Sequence, residues 1–247
     1  MSRLSRFIRS LRATRCPVRA RHVEPSFLIS PDDDPATADD LLLDLSLKAI
    51  ELARSINLDE IAARGKPVSQ FLSVWPGDHY RLLGAIVKVL EPKTVIEIGT
   101  ATGASALAML KFMAPDSRLY TFDLVPWRES QGYILTENDF RDGRLIQMID
   151  DLTDRAGLTR HIDIVRAAQL IFVDAAKDGA MEERFLELLT EVPFASRAVV
   201  IFDDIRLYNM LATWRRIASP KIDLTSFGHF TGTGLTYTPI RLKNEKR

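Results

Sequence analysis

The chain has 247 residues, 46% hydrophobic and 27% charged, proportions that let one large domain, or a domain with an appendage, bury a real core. Its formal charge is zero, 33 Lys+Arg against 33 Asp+Glu, but residues 1–23 hold seven arginines (Arg3, Arg6, Arg9, Arg12, Arg15, Arg19, Arg21) and no acid, leaving 26 basic and 33 acidic residues beyond them. A net-negative body disfavours nucleic acid as a partner, a lone Cys16 excludes a disulfide within the chain, and no apolar run reaches the roughly 18 residues of a membrane span.

Leu4, Phe7, Ile8 and Leu11 fall on one helical face with the arginines off it. Three readings of this leader stand open. It is a disordered or weakly helical leader, a peripheral membrane contact through residues 3–15 drawn by anionic lipid, or, in a eukaryotic source, an organellar transit peptide. The corresponding location is cytoplasmic, membrane-peripheral or organellar. Pro31–Pro35 reads as a polar linker, so residues 1–34 are set apart and the folded body starts near Pro35.

Thr37 with Asp40 resembles a capping pair, and Leu42, Leu45, Ala49, Leu52 and Ile56 predict a helix over 38–56. Residues 57–77, with Gly65, Pro67, Pro76 and Gly77, read mostly as loop, so 35–77 is expected to be a helical cap. A helix over 78–90 stops at Pro92. Strands are then predicted at Thr94–Ile98, Leu119–Phe122, Arg144–Ile149, Leu170–Val173 and Ala198–Phe202. Helices are predicted at Gly103–Met113, around Met181–Val192 and around Leu207–Ala218. Residues 124–143 look irregular. Ile222–Phe227 and Leu235–Thr238 are predicted as two closing strands of a hairpin. Alternating strands and helices predict an α/β fold with a mainly parallel sheet and an antiparallel carboxyl-terminal edge.

In such sheets ligands bind beyond the carboxyl ends of the strands. Acids stand there repeatedly: Glu97 near Gly99, then Asp123, Asp150 with Asp151, Asp174, and Asp203 with Asp204. Capping explains some of these, not so easily all. Val95-Ile-Glu-Ile-Gly-Thr-Ala-Thr-Gly-Ala-Ser105 reads as strand, glycine turn and helix start. It is not the G-x-G-x-x-G dinucleotide fingerprint, because position 101 is Ala and the glycines are four apart. Glu97 would repel phosphate and suits a cationic or hydroxyl-bearing ligand. Asp123 is placed to accept hydrogen bonds from ribose hydroxyls. Three carboxylates at neighbouring strand ends (Asp174, Asp203, Asp204) repel one another unless a cation sits among them, and hard oxygen donors suit Mg²⁺ or Ca²⁺.

Glu97-x-Gly99-x-x-x-Gly103 followed by Asp123 resembles the first two motifs of class I S-adenosylmethionine-dependent methyltransferases, over roughly residues 78–240. The resemblance implies a Rossmann-like fold with a seven-stranded sheet, and a methyltransferase domain over 78–247. It places Glu97 and the turn Gly99, Thr100, Ala101, Gly103 and Ser105 along the methionine and ribose of S-adenosylmethionine, Asp123 on the ribose, and Asp150 or Asp151 near the adenine. Phe172-Val-Asp174-Ala-Ala-Lys177-Asp178 and Ile201-Phe-Asp203-Asp204 are similar to the metal-binding strands of the catechol and caffeoyl-CoA O-methyltransferase group. Matched to that pattern, Asp174, Asp203 and Asp204 are expected ligands for Mg²⁺ or another divalent cation. Asp174 also borders the cofactor, and Lys177 is the expected base, provided burial depresses its pKa. Asp204 stands where the family has Asn.

The expected activity is methyl transfer to a hydroxyl oxygen of a small molecule or glycan, assisted by a divalent metal. A metal-independent methyltransferase and a non-catalytic binding protein of the same fold are the alternatives. Segments 57–77, 124–143 and 228–234 are expected to build the acceptor pocket. His79 and His229 read as structural, and Trp127 as a packing residue.

Overall fold

A computed structural model of the chain describes residues 33–34, 36–65, 70, 72–74 and 76–243. The arginine-rich leader, its 3–15 pattern and Cys16 lie outside the described residues. Among the described residues no helix is long and apolar enough to cross a membrane.

Seven strands form one sheet: β1 Thr94–Ile98, β2 Arg118–Asp123, β3 Leu145–Ile149, β4 Leu170–Val173, β5 Val199–Asp203, β6 Lys221–Asp223 and β7 Thr233–Tyr237. Their order is β3-β2-β1-β4-β5-β7-β6. The first five run parallel, whereas β7 pairs antiparallel with both β5 and β6. This is the expected Rossmann-like arrangement with an antiparallel edge. The order reverses between β1 and β4, so the sheet's switch point lies between Gly99 and Asp174, where ligands of open α/β sheets bind.

Helices cover both faces. On one side lie α1 Asp40–Ala53, α2 Asp59–Ala62, α3 His79–Leu90 and α4 Ala104–Leu110; on the other, α5 Arg155–Arg160, α6 Ile162–Ala167, α7 Ala180–Glu191 and α8 Met210–Arg216. The central strands divide their side chains between the two cores with period two. Leu170 and Phe172 of β4 face the α1–α4 layer, Ile171 and Val173 the other. All four are buried, which is why β4 and β5 read as unbroken apolar runs rather than alternating ones. Glu97 falls on the α1–α4 side of β1, fully buried, where the pattern would place an apolar residue.

Several predicted boundaries move. The cap of α1 is Asp39, not Thr37: its Oδ1 accepts from Leu42 N at 3.1 Å, and its other oxygen accepts from the Tyr237 hydroxyl of β7. Residues 224–227 do not extend β6, because Asp223 accepts from Thr225 N at 2.9 Å and turns the chain. Residues 124–143 hold two 3₁₀ turns, Trp127–Glu129 and Glu137–Phe140. Helices α5 and α6 were not anticipated.

Candidate functional site

The first βα turn is shaped by backbone conformation. Gly99 has φ 96°, and a Cβ there would collide with the Asp174 carbonyl, so β1 and β4 meet too closely for any side chain. Gly103, φ 83°, opens α4, and a Cβ there would strike Leu135 rather than a ligand. Gly103 thus also packs the start of α4 under the 124–143 segment. Ala101 takes a left-handed φ of 40° between them. Asp123, at the end of β2, ties the turn down: its Oδ2 accepts from Thr100 N at 2.9 Å and Ala101 N at 3.2 Å, and its Oδ1 from Leu124 N at 2.7 Å.

Two cavities flank this turn. One, of about 360 Å³, is lined by Gly99, Ala101, Asp123, Asp150, Asp151 and Asp174, with Phe122, Leu152 and Met181 as apolar walls. The other, of about 450 Å³, is lined by Gly99, Thr100, Ala101, Ser105, Asp174, Lys177, Asp203 and Asp204 together with His79, Tyr80, His229, Phe230 and Thr231. Gly99, Ala101 and Asp174 belong to both, so they form a shared wall. Of the three segments expected to build an acceptor pocket, Val74 and residues 229–231 line the second cavity, but 124–143 does not. Trp127 packs in the core, stacked on Phe140 at 5.6 Å between ring centroids.

Glu97 lines neither cavity. Its Oε1 accepts from Ser105 Oγ at 2.5 Å, and its Oε2 has no hydrogen-bond partner. Burial pushes its carboxyl up to about 8, so it is protonated at neutral pH. As a neutral acid set behind Ser105, Glu97 acts toward the turn through that hydrogen bond. Asp150 accepts from Arg160 at 2.5 and 2.8 Å and pairs with His161 Nε2 at 2.9 Å. Asp151 accepts from Thr153 N at 2.8 Å. Both line the first cavity with carboxylates already engaged by the chain.

At the ends of β4 and β5 the three acids converge on one ammonium. Lys177 Nζ lies 2.5 Å from Asp174 Oδ1, 2.7 Å from Asp203 Oδ2 and 2.5 Å from Asp204 Oδ2. The β4–α7 loop aims it there. Glu182, buried at the start of α7, accepts from Lys177 N at 2.8 Å and Gly179 N at 3.0 Å. Lys177 and Asp204 both take left-handed φ, 59° and 56°, conformations that persist only where surroundings over-determine them. Lys177 thus supplies a positive charge among the three neighbouring carboxylates.

Burial alone would lower the Lys177 pKa, but Asp174, Asp203 and Asp204 overcome it and hold the ammonium well above the usual lysine range. This reverses the depressed pKa required of a lysine base. Asp174 and Asp203 are pushed apart. Burial drives Asp174 up to about 7 against the pull of Lys177. Burial also acts to raise Asp203, yet Lys177 and the two histidines hold it well below the carboxylate range. The oxygens of Asp174, Asp203 and Asp204 lie within 4.8 Å of one another. As a donor set they fit a hard divalent cation, with Lys177 as its stand-in.

Sequence reasoning missed the two histidines. His229 Nε2 lies 2.5 Å from Asp203 Oδ1, His79 Nε2 lies 3.6 Å from the same oxygen, and the rings meet edge to face at 4.4 Å. Burial pushes His79 down to about 4 and so keeps it neutral. For His229 burial acts the same way, but the Asp203 bond prevails and raises it. One signal existed: a closing strand antiparallel to β5 must begin beside the carboxyl end of β5. The pairing Asp203↔Thr233 puts His229 there.

A family described as "Methyltransferase domain" matches residues 96–205. Caffeoyl-CoA O-methyltransferase 1 of Zea mays is 29% identical over 165 residues, 62% of this chain and 60% of that protein. Tricin synthase 1 of Oryza sativa subsp. japonica is 30% identical over 124 residues, 45% of this chain and 47% of that protein. The chain thus spans about half the length of the curated relatives it matches. Among solved structures, the O-methyltransferase TomG of Streptomyces achromogenes, in complex with S-adenosylmethionine, is 16% identical. That match covers 81% of this chain and 90% of TomG, with a TM-score of 0.46.

Proposed function

We propose that this chain is a class I S-adenosylmethionine-dependent methyltransferase of the caffeoyl-CoA O-methyltransferase type, which transfers a methyl group from S-adenosylmethionine to a hydroxyl oxygen of a small-molecule acceptor. The observation that carries this reading is the shared wall. A cofactor in the Asp123 cavity and an acceptor in the Lys177 cavity meet only across Gly99, Ala101 and Asp174.

In the proposed step the acceptor oxygen attacks the sulfonium methyl carbon. The new O–C bond forms as the S–C bond breaks, and S-adenosylhomocysteine leaves as a neutral thioether. The protein's contribution is positioning, with both reactants held in line across one wall. The hydroxyl must lose its proton. Asp174 faces both cavities, and a carboxylate with a pKa of about 7 is matched to that task. Lys177, held as an ammonium, stabilises the developing oxyanion. A divalent cation held by Asp174, Asp203 and Asp204 in place of the ammonium would supply twice its charge and lower the hydroxyl pKa.

The test is a mass-spectrometric assay with S-adenosylmethionine and a panel of catechols, flavonoids and sugars, run with Mg²⁺ and with chelator. Products heavier by one methylene, with S-adenosylhomocysteine in equal amount, are expected. Cofactor that binds without turnover on any hydroxyl would leave the binding-protein reading in force. Activity that survives chelation would assign the charge to Lys177 alone. The arginine-rich leader is proposed to concern location rather than chemistry, so removal of residues 1–23 is expected to spare cofactor binding.

A further inference from the structure

We infer that His79, His229 and Asp203 form a cation site of their own, for a divalent ion of the zinc class, on the opposite side of Asp203 from Lys177. The two oxygens of Asp203 face different neighbours. Oδ2 takes Lys177 Nζ at 2.7 Å, while Oδ1 faces Nε2 of His229 at 2.5 Å and of His79 at 3.6 Å. The three side chains are buried, and their ligand atoms lie within 4.8 Å of one another.

Ring orientation separates a metal site from a cluster of hydrogen bonds. His79 Nδ1 lies 3.0 Å from Thr233 Oγ1, and His229 Nδ1 lies 2.5 Å from Thr231 Oγ1. Metal-ligating histidines are held in this way, with the outer nitrogen donating to an oxygen and the inner one turned to the ion. Both inner nitrogens here converge on one carboxylate oxygen. A hydrogen bond accounts for His229, but 3.6 Å is too long to account for His79. An ion bound by all three atoms replaces the proton shared by His229 Nε2 and Asp203 Oδ1, and the pair opens from 2.5 Å to the roughly 3.3 Å that separates ligands about 2.0–2.1 Å from a tetrahedral zinc.

Two imidazoles and a carboxylate are a borderline donor set, suited to Zn²⁺ or Co²⁺ rather than to Mg²⁺ or Ca²⁺, which take oxygen. Three protein ligands leave a coordination position open, and all three residues line the 450 Å³ cavity. Lys177 stays in place beside the acids, so the site does not compete with its ion pairs. Nor does the site depend on methyl transfer, because it is measured without S-adenosylmethionine.

The experiment uses the full chain freed of metal. It is titrated with Co²⁺ while the visible spectrum is followed, and with Zn²⁺ by calorimetry. Co²⁺ is expected to develop the bands of a nitrogen-ligated ion, which Zn²⁺ bleaches and equal Mg²⁺ does not. His79→Gln and His229→Gln, each shown folded by circular dichroism, remove a ligand and are expected to lose more than the roughly 10- to 100-fold in Zn²⁺ affinity that loss of a ligand's outer hydrogen-bond partner costs, whereas Asp174→Asn keeps it. Should either variant unfold, the ring ¹⁵N resonances of the wild-type histidines report directly, and Zn²⁺ is expected to shift both. The proposal is overturned if the wild type takes up neither ion, if folded histidine variants bind Zn²⁺ undiminished, if the ring resonances stay unmoved, or if Asp174→Asn loses as much affinity as they do. That last outcome would place the ion among the acids.

Discussion

The Lys177 ammonium stands 2.7 Å from Asp203 Oδ2, inside a cage that Asp174 and Asp204 complete. Removing it leaves the buried carboxylate of Asp203 and the half-buried ones of Asp174 and Asp204 uncompensated. Lys177→Met is expected to cost about 3–5 kcal/mol of stability, the penalty for breaking a buried ion pair from one side. Mg²⁺ should restore part of the loss and raise the melting temperature of the variant more than that of the wild type. Scanning calorimetry with and without Mg²⁺ checks this; equal shifts in the two proteins would show that the cage accepts only an ammonium.

Gly99 and Ala101 share the turn and predict opposite outcomes. Gly99→Ala drives a Cβ into the Asp174 carbonyl at φ 96° and should destabilise the chain by more than about 2 kcal/mol. Ala101→Gly relieves a left-handed φ of 40°. The relief of about 1–2 kcal/mol outweighs the roughly 0.5–1 kcal/mol of backbone entropy lost on folding a glycine. Urea denaturation should place its midpoint above the wild type, and a midpoint below it would contradict the strain assigned to Ala101.

Buried Glu97 gives stability a pH dependence with a definite sign. Its folded pKa is raised from 4.5 to about 8, so its contribution is full below about 4.5 and fades as pH rises through about 8. Within that window it removes about 1.4 kcal/mol per pH unit. Glu97→Gln keeps the shape without the ionisation. The gap in melting temperature, variant minus wild type, should widen between about pH 5 and pH 9; a constant gap would mean that Glu97 is not buried as a neutral acid.

Asp123 both holds the turn and lines the first cavity. Asp123→Ala is expected to weaken S-adenosylhomocysteine binding at least tenfold, about 1.4 kcal/mol. Asp150→Asn should cost less, because Arg160 and His161 already engage that carboxylate. Calorimetric titration of both variants decides the order.

Strands β1 and β4 match the predicted residues because burial on both faces imposes continuous β-branched and apolar runs, and Pro92 and Gly99 punctuate them. The acids at the strand ends were equally legible, since an Asp following an apolar run can only lie at the sheet's rim. Helices α5 and α6 left a weak signal: Gly157, Thr159, Arg160 and His161 interrupt an apolar face that rests on Leu158 and Val165. His79 and His229 stand 150 positions apart, and only the antiparallel β7 brings the second beside Asp203. The filling of the acid cage by Lys177 was likewise unreadable, because it depends on a left-handed residue and on the Glu182 bonds behind it.

The most direct test is a crystal structure of the full chain with S-adenosylhomocysteine. The account predicts ribose hydroxyls on Asp123 and the thioether sulfur at the wall of Gly99, Ala101 and Asp174, facing the cavity that holds Lys177 and Asp203. A ligand bound anywhere else, or a sulfur turned away from that wall, would contradict it.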